Sequence, residues 1–84
     1  MVANKNRIYF KGPKESVSYG TIEYFNLNRK FGVIESSGQS FLFFPDSFVK
    51  YAPPEYIQKN VGKSVSFVSE EQGGRFLARK VEIL

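Results

Sequence analysis

"FGVIESSGQSFLFF", residues 31–44, is the stretch whose reading decides the fold. Its centre, Ser36-Ser37-Gly38-Gln39, is a short polar turn with a glycine, of the kind that joins two antiparallel strands. The runs on either side alternate, and adjacent residues of an extended strand point to opposite faces. Phe41 and Phe43 therefore share one face of the later strand, with Leu42 and Phe44 on the other. On the earlier strand Phe31 and Val33 share a face, with Gly32 and Ile34 opposite. Only one of the neighbours Phe43 and Phe44 can enter a one-sided core. Ile22, Ile34, Phe41 and Phe43 make the sensible inward set, which leaves Phe31, Val33, Leu42 and Phe44 outside. Tyr24 joins them from the preceding strand, where the pair Tyr24-Phe25 is compatible with a bulge. Gly32, small and set between Phe31 and Val33, is expected to keep the surface open beside them.

Outward from this hairpin the chain continues in strands. "VSYGTIEYFN" precedes it and leads into a polar turn at 26–30. Pro45 cannot donate to a strand ladder and ends the third strand. A long connection, 45–62, holds Pro45, Pro53 and Pro54, and its "PDSF" suits a single helical turn, with Asp46 placed like a turn or N-cap residue. "KSVSFVSE" alternates again, with Val65 and Phe67 on one face and Ser64, Ser66 and Val68 on the other. Gln72-Gly73-Gly74 makes a turn, and "RFLARKVEIL" is the last strand. Five short strands and no long helix favour a closed or nearly closed small barrel, which removes vulnerable sheet edges.

The chain has 84 residues, which is one small domain at most. Nine Phe and five Tyr make 17% of it, a large share for a domain with little interior. There is no Cys and no His, so disulfides, thiol nucleophiles, His metal sites and the common catalytic triads are excluded. No phosphate-cradling glycine motif occurs, and the Glu residues are scattered. The expectation is a binding protein rather than an enzyme, with no cofactor and no metal. No apolar run has membrane-spanning length, and "MVANKNRIYF" lacks the apolar stretch of a signal peptide, so a cytoplasmic protein without membrane association is expected.

Charge is uneven. In residues 1–16, Lys5, Arg7, Lys11 and Lys14 face only Glu15, which is +3 of the chain's +4. The domain division that follows is a basic N-terminal arm, 1–16, and a barrel domain, 17–84. Such an arm can track phosphates or simply remain solvated. Its run Ile8-Tyr9-Phe10 can add a short strand, pack on the barrel, or fold over the outward patch.

With these pieces in place the chain resembles the cold-shock domain family over about residues 19–84. Gly20-Thr21-Ile22, Phe25-Asn26, Phe31-Gly32, Ile34 and residues 62–67 match the family in order and spacing. The resemblance implies a five-stranded antiparallel OB-fold barrel that binds single-stranded RNA or DNA on its second and third strands, with low sequence specificity, as an RNA chaperone or regulator. Carried over by position, Tyr24 stands where the family has a Trp, and Phe31 keeps the first platform aromatic. Val33 and Leu42 stand where the family has rings, Phe44 where it has a His, and Pro45 where it has a Phe. Lys30 takes the place of a Gly, beside the basic Arg29, and Glu23 takes the place of a Lys. Tyr56 lies near the family's loop aromatic, in a connection about three residues longer here.

The candidate nucleic-acid site is thus Tyr24, Arg29, Lys30, Phe31, Val33, Leu42, Phe44 and Tyr56. Unpaired bases stack on aromatic faces, and a basic rim neutralises phosphates. The competing expectation is a protein-interaction module, or a homodimer through the same sheet, because an exposed apolar patch also marks partner sites. Arg29 and Lys30 as an ordinary solvated turn, and Arg75, Arg79 and Lys80 as a solvated strand face, are the plainer readings of those charges.

Overall fold

A computed structural model of the chain describes residues 16–84. The basic arm expected over 1–16, with its Ile8-Tyr9-Phe10 run, lies outside the described residues except for Ser16. Five strands follow in order: β1 Val17–Asn26, β2 Phe31–Ser36, β3 Gln39–Phe43, β4 Ser64–Gln72 and β5 Arg75–Ile83. They close a barrel in the order β1-β2-β3-β5-β4, an OB-fold-like arrangement. Four of the pairings are antiparallel, and the fifth, β3 with β5 at Leu42 and Leu77, is parallel. The barrel is thus antiparallel except at its closure. The reason is connectivity: β3 and β5 are not joined by a hairpin, and a long connection lets strands meet in parallel.

Both expected hairpin turns form with the chemistry they require. Ser36 pairs with Gln39 across Ser37 (φ 51°) and Gly38 (φ 80°). Gln72 pairs with Arg75 across Gly73 (φ 57°) and Gly74 (φ 80°). Two consecutive positive φ values match the right-handed twist of the flanking strands, which is why glycine is favoured there.

The expected inward set is inside: Ile22, Ile34 and Phe43 are fully buried, and Phe41 is buried with them. Phe25, Phe48, Ala52, Ile57, Val65, Phe67, Ala78 and Val81 complete the core. Among the described residues no polar or charged side chain is buried, so the interior needs no polar partner to be satisfied. Phe43 stacks on Phe25 at 6.0 Å and meets Phe48 edge-on at 5.8 Å. Gly32 belongs to this packing and not to the surface. It is buried, and a Cβ there would lie 2.5 Å from the Phe43 ring and 2.6 Å from the Tyr24 carbonyl oxygen. Its missing side chain is what lets Phe43 turn inward beneath β2. Val68, read onto the face away from Val65 and Phe67, stays outside the core cluster but is buried where it pairs with Val17.

The connection holds two short helical pieces. A 3-10 turn covers Pro45–Ser47, as "PDSF" implies. Phe44, not Asp46, occupies its N-cap: the Phe44 N–H donates to Ser47 Oγ at 2.8 Å. Helix α1, Pro54–Lys59, is an addition to the expected elements. Six residues are too few to show a 3.6-residue period or to be stable alone. Pro54 fits the first helical position, and the buried Ile57 anchors α1 to the core.

Candidate nucleic-acid interface

The outer face of β1–β3 forms from strand register. Ile22 pairs with Ile34, and Tyr24 pairs with Val33, so β1 carries one extra residue, Glu23. This bulge returns Phe25 to the core and leaves both Glu23 and Tyr24 outside. Across the hairpin Val33 pairs with Leu42, and Leu42 in turn with Leu77 of β5. Tyr24, Val33, Leu42 and Leu77 thus make one row around the barrel. Asn26 pairs with Phe31, and the register that pairs Gly32 with Phe43 places Phe44 beside Phe31 at its next step. A third row, Thr21, Glu35 and Ser40, follows on the other side. The surface therefore changes character along the strands, from an aromatic row to a mainly aliphatic row to a polar row.

The aromatic end is open. Tyr24 is 46% and Phe44 42% exposed, and Phe31 is half-buried. The Tyr24 and Phe31 rings meet edge-on, centroids 6.0 Å apart. Leu42 and Val33 are half-buried behind them.

Asn26 connects this end to the basic turn. Its side-chain NH2 donates to the Tyr24 hydroxyl at 3.1 Å, and its Oδ1 accepts the Arg29 N–H at 2.9 Å. The Lys30 N–H closes the turn on the Asn26 carbonyl at 2.7 Å. Arg29 and Lys30 are both exposed there, beside the aromatic row. Lys30 has φ 62°, the left-handed region that glycine takes without strain. Two carboxylates border the face. Glu23 projects at the bulge, whereas Glu35 accepts the Gly38 N–H at 2.8 Å and so is held at the hairpin turn.

Seven of the eight candidate residues come together here. Tyr56 does not join them. It stands on α1 in a separate groove with Phe48, Tyr51, Pro53 and the end of β5, which none of the other seven lines. Alignment through a proline-rich connection of altered length carries no register, so the sequence has no means of placing Tyr56.

The structure brings one further aromatic to the rim of this face: Leu77 continues the outer row, so its neighbour Phe76 turns to the Phe41 side, at the end of the barrel. Phe76, at the start of β5, is 40% exposed, with its ring edge-on to Phe41 at 5.9 Å. Phe76 and Arg75 border a shallow groove of about 270 Å3, whose other lining residues are Val33, Ser40, Phe41 and Leu42. The hint in the sequence is an aromatic directly after the Gly73-Gly74 turn, but only the parallel β3–β5 pairing brings it here. Arg79 forms an ion pair with Glu70 on the same hairpin.

Among the described residues no group of three or more His, Cys, Asp or Glu could hold a metal ion, and no helix is long and apolar enough to cross a membrane. No protein-family model matches this chain, and no curated protein matches it.

Proposed function

We propose that this protein binds single-stranded RNA or DNA on the outer face of β1–β3, as a divergent relative of cold-shock domains, with the role of an RNA chaperone or regulator rather than an enzyme. The observation that carries this reading is the aromatic row of Phe31 and Phe44 with Tyr24 packed against it, open to solvent and edged by Arg29 and Lys30. Each stacked base contributes about 1–3 kcal/mol, and it does so for any base, which accounts for low sequence preference. Arg29 and Lys30 supply the sequence-independent attraction to phosphate. Val33 and Leu42 add apolar contact but no ring, and the Glu23 carboxylate keeps the backbone track on the Arg29 side.

Fluorescence titration with oligo-U, oligo-dT and a duplex, each at two salt concentrations, tests the proposal. Single strands are expected to bind more tightly than duplex, with log affinity falling against log salt by about 0.7 per phosphate neutralised. Combined Phe31→Ala and Phe44→Ala is expected to remove most of the binding while the barrel stays folded. Absence of single-strand binding even at low salt sinks the proposal. A dimer in light scattering that the same pair of substitutions dissolves then assigns the patch to a second copy of the chain.

A further inference from the structure

We infer that the groove lined by Val33, Leu42 and Phe76 is a further base site, in which Phe76, entering from the barrel rim beside Phe41, supplies the ring that positions 33 and 42 lack. This rests on the proposed single-strand binding and extends it to a part of the barrel that neither the hairpin sequence nor the resemblance indicates. Three observations converge. The groove shares Val33 and Leu42 with the face already described, so a strand lying on the aromatic row meets it without leaving the protein. Phe76 is 40% exposed although its ring packs edge-on against Phe41, so the ring is braced while part of it stays open. Arg75 forms part of the same lining and is exposed, which puts a cation at the mouth.

The occupant follows from the shape and the chemistry. Aliphatic Val33 and Leu42 give the groove apolar lining on β2 and β3, and Phe76 and Arg75 line it from β5. A planar, uncharged ring with a phosphate attached fits that combination: an unpaired base of the bound strand. Leu42 lies two residues from Phe44 along β3, about 7 Å. Crossing then to β5 adds one strand spacing of about 5 Å and reaches Leu77, the neighbour of Phe76. The track so defined runs obliquely from the turn at 26–30, over Phe31 and Phe44, to the start of β5.

The test uses the full chain and oligo-dT of about eight nucleotides, within the range of strand lengths that one such barrel covers. Phe76→Leu keeps bulk against Phe41 but removes the ring. It is expected to weaken binding about tenfold, as loss of one stacked base does. Phe76→Tyr restores the ring and is expected to stay within about twofold of the parent, as a retained stack requires. Arg75→Gln is expected to lower the salt slope by about 0.7, one phosphate's worth. Equal binding by Phe76→Leu and parent, while combined Phe31→Ala and Phe44→Ala loses affinity, overturns the groove and leaves the platform standing. If Phe76→Tyr binds as poorly as Phe76→Leu, stacking at this position is also overturned. A parent chain that binds no oligo-dT at either salt overturns the underlying reading, and the groove with it.

Discussion

The two faces of β1–β3 are made from the same residue types and do opposite things. On the inside, Phe41 and Phe43 are locked by Phe25, Phe48 and Phe67, and Gly32 is kept empty so that Phe43 fits. On the outside, Phe31 and Phe44 have few such constraints and remain in contact with water. Phe43 and Phe44 are covalent neighbours, yet one is fully buried and the other 42% exposed. Residue chemistry did not make that difference. Strand alternation, fixed by pairing Gly32 with Phe43, did. A phenylalanine is a structural residue on one face and a candidate contact on the other.

The sharpest way to break this comparison is to remove a ring from each side. Phe43→Ala is expected to cost about 3–5 kcal/mol, because a fully buried ring leaves a cavity. Stability of a small domain is only about 5–15 kcal/mol, so urea denaturation of this variant should show a midpoint far below that of the parent. Phe44→Ala in the same assay is expected to shift stability by about 0.5 kcal/mol or less, as for an ordinary surface change. Similar losses for the two would refute the division of faces. Gly32→Ala comes next in size. Its Cβ would sit 2.5 Å from the Phe43 ring, so a loss of about 1–3 kcal/mol is expected from overpacking, read as a lower urea midpoint. Combining Gly32→Ala with Phe43→Leu should recover part of that loss, since both act on one contact.

A gentler substitution separates structure from charge in the basic turn. Lys30→Gly relieves a left-handed residue, and thermal melting should show a gain of up to about 1 kcal/mol. The same change removes a cation beside the aromatic row, so oligonucleotide affinity should fall and its salt slope should shrink by about 0.7. A more stable variant with unchanged binding would leave Lys30 as a plain turn residue.

Much of the site is legible in the sequence because it lies on a local hairpin. Residues 31–44 specify their own turn through Ser37 and Gly38, and alternation then assigns every side chain to a face. The Tyr24-Phe25 pair signals the bulge by the same logic: on a regular strand Tyr24 would follow Ile22 inward and Phe25 would face water. Gly32 is harder to read, because its meaning depends on what lies beneath it, and that is Phe43 on another strand. Tyr56, expected in the site, stands apart from it, because the short α1 and the proline-rich connection around it show no hydrophobic pattern that would fix its place.

The sequence by itself determined the strands, the two glycine turns, the inward and outward sides of the hairpin, and the exclusion of thiol and imidazole chemistry. These follow from φ/ψ preference and from a side-chain period of two, both of which act within a few residues. Only the tertiary structure decided that β3 closes the barrel against β5 in parallel, that Val81 aligns the connection through its bridge to Phe48, and that Phe76 borders the groove beside Leu42. Those contacts join residues far apart along the chain, and their register is set by how the whole core packs. No local pattern encodes that register, so it emerges only when the barrel is closed.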